Sequence, residues 1–206
     1  MTVAMVAKRL AVAIAVDDLV SEKPFESLRI EDICEAAGVS RSAFYRLFAD
    51  KYEIPLWCQG LAFDAGLGEI GRSLTCADGH RATLSGLLLF RNLMYSASIE
   101  SGPYSFRTKL INKHAASMRE TLTEVQHVAL TPRLEFLIVS TADAQGRAVF
   151  RWLDGGANPD VETFAQWQTD LTPEDLRGLL DAPATPAQPG ELTFASIIAD
   201  AVRTRR

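Results

Sequence analysis

The side chains best suited to chemistry in this sequence cluster between Gly38 and Lys51: Ser40, Arg41, Ser42, Ala43, Tyr45 and Arg46, closed by Lys51 itself. Guanidinium groups reach phosphates and guanine edges, the Ser40 and Tyr45 hydroxyls suit phosphate oxygens, and small residues such as Ser42 and Ala43 let a helix approach base edges closely. Arg41, Arg46 and Lys51 face only Asp50 here, a small basic footprint in a chain of formal net charge −5. Other chemistries find no comparable cluster. His80, His114 and His127 lie far apart, without the Cys or carboxylate spacing of a metal site, and no Ser, His and acid set assembles from local motifs. No catalytic residue, metal ligand or cofactor is therefore assigned. Cys34, Cys58 and Cys76 are an odd number with no CxxC pair, which argues against a disulfide framework or a zinc site. Gly66, Gly68 and Gly71 have the spacing of a dinucleotide fingerprint, but no strand precedes them.

Such a reading surface works only on a helix that a second helix holds in place. The run Leu28 to Phe48 supplies both. Ile30, Ile33 and Ala37 give a short helix one apolar side. Gly38 suits the left-handed turn that ends it, Val39 fills the inside of that turn, and Ser40 caps the next helix. Phe44, Leu47 and Phe48 then recur at helical spacing and lock the second helix against the first, leaving the residues named above on its other side.

Hydrophobic residues recur at helical spacing almost throughout, and no alternating run suggests a strand, so the chain reads as all-α. Its 206 residues, 48% hydrophobic and 23% charged, describe a folded soluble protein, and its longest apolar runs fall far short of the roughly 20 residues that cross a bilayer. Lys8, Arg9, Asp17 and Asp18 interrupt the apolar N-terminus, which reads as a first helix and places the protein in the cytoplasm, with no membrane partner. Helices are predicted near 3–21, 29–37, 41–48, 50–72, 80–99, 103–127, 132–153 and 160–180, with a terminal helix possible after Glu191. Asp50 with Glu53 resembles a capping box; Thr131-Pro132, Asn158-Pro159 and Thr172-Pro173 each place a capping residue before a proline. The domain reading is 1–50 for a helix-turn-helix domain, 51–181 for a helical domain, and 182–206 for a linker with a possible helix.

The run Ala36 to Phe48, AAGVSRSAFYRLF, followed by Asp50-Lys51, resembles the DNA-binding signature of the TetR family of bacterial regulators. The resemblance implies a three-helix helix-turn-helix domain followed by a helical ligand-binding and dimerisation domain. It also implies that Ser40, Arg41, Ser42, Tyr45, Arg46 and Lys51 face DNA while Phe44 and Phe48 are core. Arg29 stands where the family often has a threonine that caps the second helix and touches phosphate, and is taken as a substitute phosphate contact. Leu47 stands where the family often has His or Tyr. The ending Arg151-Trp152-Leu153-Asp154-Gly155-Gly156 is similar to a TetR subgroup that includes dihydroxyacetone-kinase regulators, which raises a protein partner as an alternative to a small effector.

Beyond Lys51 the residues permit two assignments each. Trp57, Phe90, Met94, Tyr95, Tyr104 and Met118 form a candidate effector pocket, or an ordinary closed core. Leu134, Leu137, Ile138, Thr141, Val149 and Trp152, with Phe164 and Trp167 on the next helix, form a candidate dimer interface, or again intrachain core. The expected function is a homodimeric repressor released from a palindromic double-stranded operator by a small-molecule effector. The alternative is a helical ligand-binding or protein-interaction module that has lost DNA binding.

Overall fold

A computed structural model describes residues 3–97 and 106–181. Ten α-helices follow one another: α1 Val3–Glu22, α2 Ile30–Ala37, α3 Arg41–Leu47, α4 Glu53–Asp64, α5 Cys76–Leu89, α6 Arg91–Ala97, α7 Phe106–Glu120, α8 Pro132–Asp154, α9 Val161–Asp170 and α10 Glu174–Leu180. Short 3-10 turns occupy Phe25–Ser27 and Leu67–Glu69, and a π-helical turn, Thr121–Val125, extends α7. Among the described residues there is no strand; the one ladder contact is an isolated bridge between Ile70 and Leu74. The all-α architecture expected from periodicity is the one observed.

Several predicted helices are shorter than their apolar periodicity. The 50–72 segment stops at Asp64, because Gly66 (φ −137°, ψ −86°) leaves helical space. The 80–99 segment starts at Cys76 and breaks at Phe90 (φ −120°, ψ 40°), which separates α5 from α6. The 160–180 segment is two helices, since Pro173 cannot donate the backbone hydrogen bond that would continue α9. Thr131 caps α8 as expected, its side chain accepting from Leu134 N at 3.2 Å with Pro132 in the first turn. For α9 the cap is Asp160, which accepts from Thr163 N at 2.9 Å, rather than Asn158. The predicted terminal segment 182–206 lies outside the described residues.

One continuous apolar core runs from Val12 and Val16 of α1, through Phe44 and Phe48, to Leu176 and Leu180 of α10. Across this core a buried carboxylate ties the first helix to the sixth. Asp17, 2% exposed, accepts from the Leu93 amide at 2.8 Å, and the Asn92 side chain donates to the Asp17 carbonyl at 3.3 Å. On its other side the same turn of α6 is held by Arg91 Nη2, which donates to Gly156 O at 3.1 Å in the loop between α8 and α9.

The glycines of the Gly66–Gly71 run serve packing. A Cβ on Gly66 would lie 2.4 Å from Gly79 O and 2.2 Å from Thr83 Oγ1, and one on Gly79 would meet Ile70 at 2.3 Å. These two glycines let the end of α4 cross α5 in near backbone contact, and Leu67 N seals the crossing by donating to Thr83 Oγ1 at 2.8 Å.

Candidate nucleic-acid interface

Local chemistry builds the α2–α3 hairpin. Gly38 sits at φ 64°, ψ 34°, the left-handed region where a Cβ is disfavoured, and its amide donates to Cys34 and Glu35 carbonyls to end α2. Ser40 then accepts from Ala43 N at 3.1 Å and starts α3, a cap typically worth about 1 kcal/mol. Phe44, Leu47 and Phe48 are buried, with the Phe44 and Phe48 rings 6.0 Å apart. Leu47, the departure from the family pattern, is thereby a core residue.

The other side of α3 is open to solvent. Ser40, Arg41, Ser42, Tyr45 and Arg46 are exposed and Ala43 is half-buried, so the predicted reading surface is assembled on one face. Tyr45 is 50% exposed, its ring edge-on to Phe44 at 5.5 Å, which fixes the base of the side chain and leaves its hydroxyl end outward. Arg41 pairs with the Glu31 carboxylate on α2. Its hydrogen bond with Tyr45, reinforced by Glu31, holds the guanidinium pKa above its ordinary value. Both partners of the Arg41 pair are well exposed and solvent screens such a pair strongly, so Arg41 can exchange Glu31 for a phosphate. Arg46 makes no ion pair among the described residues. Arg29 occupies the N-cap of α2, its amide donating to Asp32 Oδ2 at 2.9 Å and its guanidinium projecting into solvent 3.7 Å from the same carboxylate. That amide bond, with the Lys23 ammonium 3.2 Å away, keeps the Asp32 carboxyl below its usual range.

Lys51 departs from its expected role. Its ammonium donates to three backbone carbonyls, Phe25 O at 3.1 Å, Glu26 O at 2.7 Å and Leu28 O at 3.0 Å, and lies 5.2 Å from the centres of the Phe25 and Tyr52 rings. All three of its N–H groups are engaged, which leaves none for a phosphate. The lysine instead pins the start of α4 to the turn before α2. Tyr52 reinforces this clamp by donating from its hydroxyl to Glu26 Oε2 at 2.9 Å.

The approach to α4 is equally fixed. Asp50 Oδ1 accepts from the amides of Tyr52 and Glu53 at 2.8 and 3.1 Å, while Glu53 Oε2 accepts from Ala49 N at 2.7 Å, one residue before the amide that a reciprocal capping box on Asp50 would use. Glu53 also pairs with Arg9, whose guanidinium lies 4.8 Å from the Phe48 ring and 5.8 Å from that of Trp57. These contacts tie α1, the end of α3 and the start of α4 together.

The remaining candidate residues separate by depth. Phe90, Met94 and Met118 are buried in the continuous core, Trp57 packs partly buried against it, and Tyr95 is 53% exposed; Tyr104 lies outside the described residues. Two surface clefts along α4 and α7 are lined by other side chains. Of the residues taken for an interface, Leu134, Ile138, Thr141, Val149, Trp152 and Phe164 are buried by their own chain and Leu137 partly so. Trp152 stacks on Phe164 at 4.8 Å and donates from its indole to Pro159 O at 2.7 Å. The exposed apolar residues of this region are Phe136 and Val139 on α8, Trp167 on α9, and Leu171 just after it.

The histidines missed as a pair come together inside the fold. His80 of α5 and His114 of α7 are buried, their rings 6.3 Å apart. Burial lowers both pKa values, to about 3 for His80, with a further push from His114, and to about 4 for His114. Gln145 of α8 donates to Gln168 O at 2.8 Å and Thr172 Oγ1 at 2.9 Å and lies 3.3 Å from His80 Nε2. Cys34, Cys58 and Cys76 are free and buried, and burial raises each thiol pKa. No helix among the described residues is long and apolar enough to cross a membrane, and no group of three or more metal-ligating side chains occurs among them.

Residues 17–55, which contain α2, α3 and the clamp around Lys51, match the family model described as "Bacterial regulatory proteins, tetR family". No curated protein matches the chain in sequence. Among solved structures, the dihydroxyacetone kinase operon activator DhaS superposes with a TM-score of 0.65 at 13% identity, over 86% of this chain and 99% of that one. A tetR-family transcriptional regulator from Streptomyces coelicolor superposes with a TM-score of 0.50 at 18% identity, over 100% of this chain and 99% of that one. At these identities the likeness is one of fold. The chain thus carries the sequence pattern of the TetR family's DNA-binding segment over residues 17–55 and shares the fold of such a regulator along its length.

Proposed function

We propose that the protein is a homodimeric, DNA-binding repressor, in which two α3 helices enter successive major grooves of a palindromic operator and a small effector changes their separation. The observation that carries this reading is the two-sided α3: Phe44 and Leu47 buried on one side, Arg41, Ser42, Tyr45 and Arg46 exposed on the other, with Arg46 free of ion pairs among the described residues. Phosphate contacts come from Arg41 and Ser40, base contacts from Arg46 and Ser42, and Arg29 adds a flanking charge. Dimerisation uses the solvent-facing sides of α8 and α9, where Phe136, Val139 and Trp167 are exposed, because large apolar side chains left in solvent favour a partner.

Selection of bound duplexes from a random pool by the purified protein tests the reading. Enrichment of a palindrome by the native chain, lost in Arg46→Ala and Tyr45→Ala, is the expected result. A dimer that enriches nothing at low salt would reject it in favour of a helical module that no longer reads DNA.

A further inference from the structure

Between α4 and α7 lies a cleft of about 190 Å³, lined by Leu56, Gln59 and Gly60 on one wall and Lys109, Leu110 and Lys113 on the other. Two ammonium groups line it and no carboxylate does, although Asp64 pairs with Lys113 from the neighbouring cleft, which leaves Lys109 as the cation without an ion pair among the described residues. The neighbouring cleft of about 290 Å³ shares Lys113, but Asp64, Glu69 and Glu120 balance its cations. Lys113 is held in position by Asp64 at 2.5 Å and by the Phe63 ring, 4.3 Å from its nitrogen. Lys109, one turn away on α7, is exposed and makes no ion pair among the described residues.

A further observation on the α4 wall points to an occupant. Gly60 lies in the interior of α4, where glycine weakens a helix relative to alanine, and a Cβ built on it would meet nothing within 4 Å. Packing does not require that glycine. What it provides is room beside Leu56 and opposite Leu110.

We propose that this cleft binds a small amphiphilic anion, a carboxylate or phosphate monoester on a short aliphatic chain. The head meets Lys109 and Lys113, while the chain lies over Gly60 between Leu56 and Leu110. The volume equals roughly six waters at about 30 Å³ each, which suits a charged head with a short chain of four to six carbons. The inference deepens the effector reading above and rests on it for regulatory meaning: α4 follows the recognition helix directly, and Glu53 of α4 accepts from Ala49 N in the short link between them.

Calorimetric titration of the full-length protein with sodium hexanoate and with hexyl phosphate tests this, with hexanol and matched sodium chloride as controls. Saturable binding of one molecule per chain is expected for at least one anion, its identity distinguishing a carboxylate from a phosphate ligand, with hexanol roughly tenfold weaker or worse. Lys109→Ala should weaken binding about tenfold. Gly60→Leu, whose side chain enters open space, should abolish it while leaving the circular dichroism spectrum and melting temperature of a folded protein. Should Gly60→Leu not fold, Lys109→Glu provides the same loss without touching a helix interior. No saturable heat with either anion, equal binding of hexanol, or undiminished binding in the variants overturns the proposal. DNA selection without anion binding would reject this inference alone, and anion binding without DNA selection would reject the regulator reading alone.

Discussion

At the scale of single residues, Lys51 and Arg46 look alike in sequence and differ in the fold. Lys51 spends its three donors on carbonyls of the turn before α2, and charge-assisted hydrogen bonds of this kind contribute about 1.5–3 kcal/mol each at most. Replacing it by Met should lower the unfolding free energy by about 2 kcal/mol in denaturant titration, with little change in the salt dependence of DNA binding. Arg46→Ala should do the reverse: nearly native stability, and either a salt slope reduced by about one or relaxed base preference at one position. The sequence could not separate the two, because the partners of Lys51 lie 23 to 26 residues away. Ser40 and Gly38 were legible because their roles are fulfilled within three or four residues.

The buried imidazoles give a second residue-scale prediction. Both folded pKa values, about 3 and about 4, lie below the ordinary histidine value, so the unfolded chain takes up protons first as pH falls. Stability contributed by keeping them neutral is intact above about pH 6.5 and is lost progressively below it. Urea unfolding near pH 5.5 should give a stability about 3 kcal/mol below that near pH 7.5, and His114→Gln should remove about half of that difference. An unchanged stability over this range would mean that the imidazoles are solvated.

At the scale of elements, hydrophobic spacing identified the helices but not their ends or their faces. Gly66, Phe90 and Pro173 interrupt segments that periodicity read as continuous, since a period of 3.6 residues persists across a short break. Facing was hidden for a related reason. Leu134, Ile138 and Thr141 form the inner stripe of α8, whereas Phe136 and Val139 lie on the outer one, and both stripes contain apolar residues. The crossing of α5 by the end of α4 depends on Gly66, where an added methyl would press on the Gly79 carbonyl at 2.4 Å. Gly66→Ala should therefore cost about 1–3 kcal/mol in thermal or chemical unfolding. A neutral or stabilising result would show that the crossing is looser than its geometry.

At the scale of the whole molecule, the proposed DNA affinity requires two copies, because one α3 offers few cations and the chain carries net charge −5. A Phe136→Asp, Trp167→Glu double variant places two carboxylates on the outer surface of α8 and α9. It should elute as a folded monomer in light-scattering chromatography and lose DNA binding at moderate salt. A dimer that survives both substitutions would place the subunit contact elsewhere. The fold class and the helix-turn-helix were legible in the sequence because both arise from local signals. Which apolar residues of α8 and α9 stay exposed was not, since that depends on which stripe the chain itself consumes.

The bond from Leu93 to the buried carboxylate of Asp17 limits how this protein can be recombined. A graft that exchanges residues 1–50 for those of a relative carries away the acceptor but leaves the α6 amide behind, sealed in an apolar core with nothing to receive its hydrogen. Chimaeras of such regulators should thus be cut so that the first and sixth helices travel from the same parent, even though some 75 residues separate the two halves of that contact.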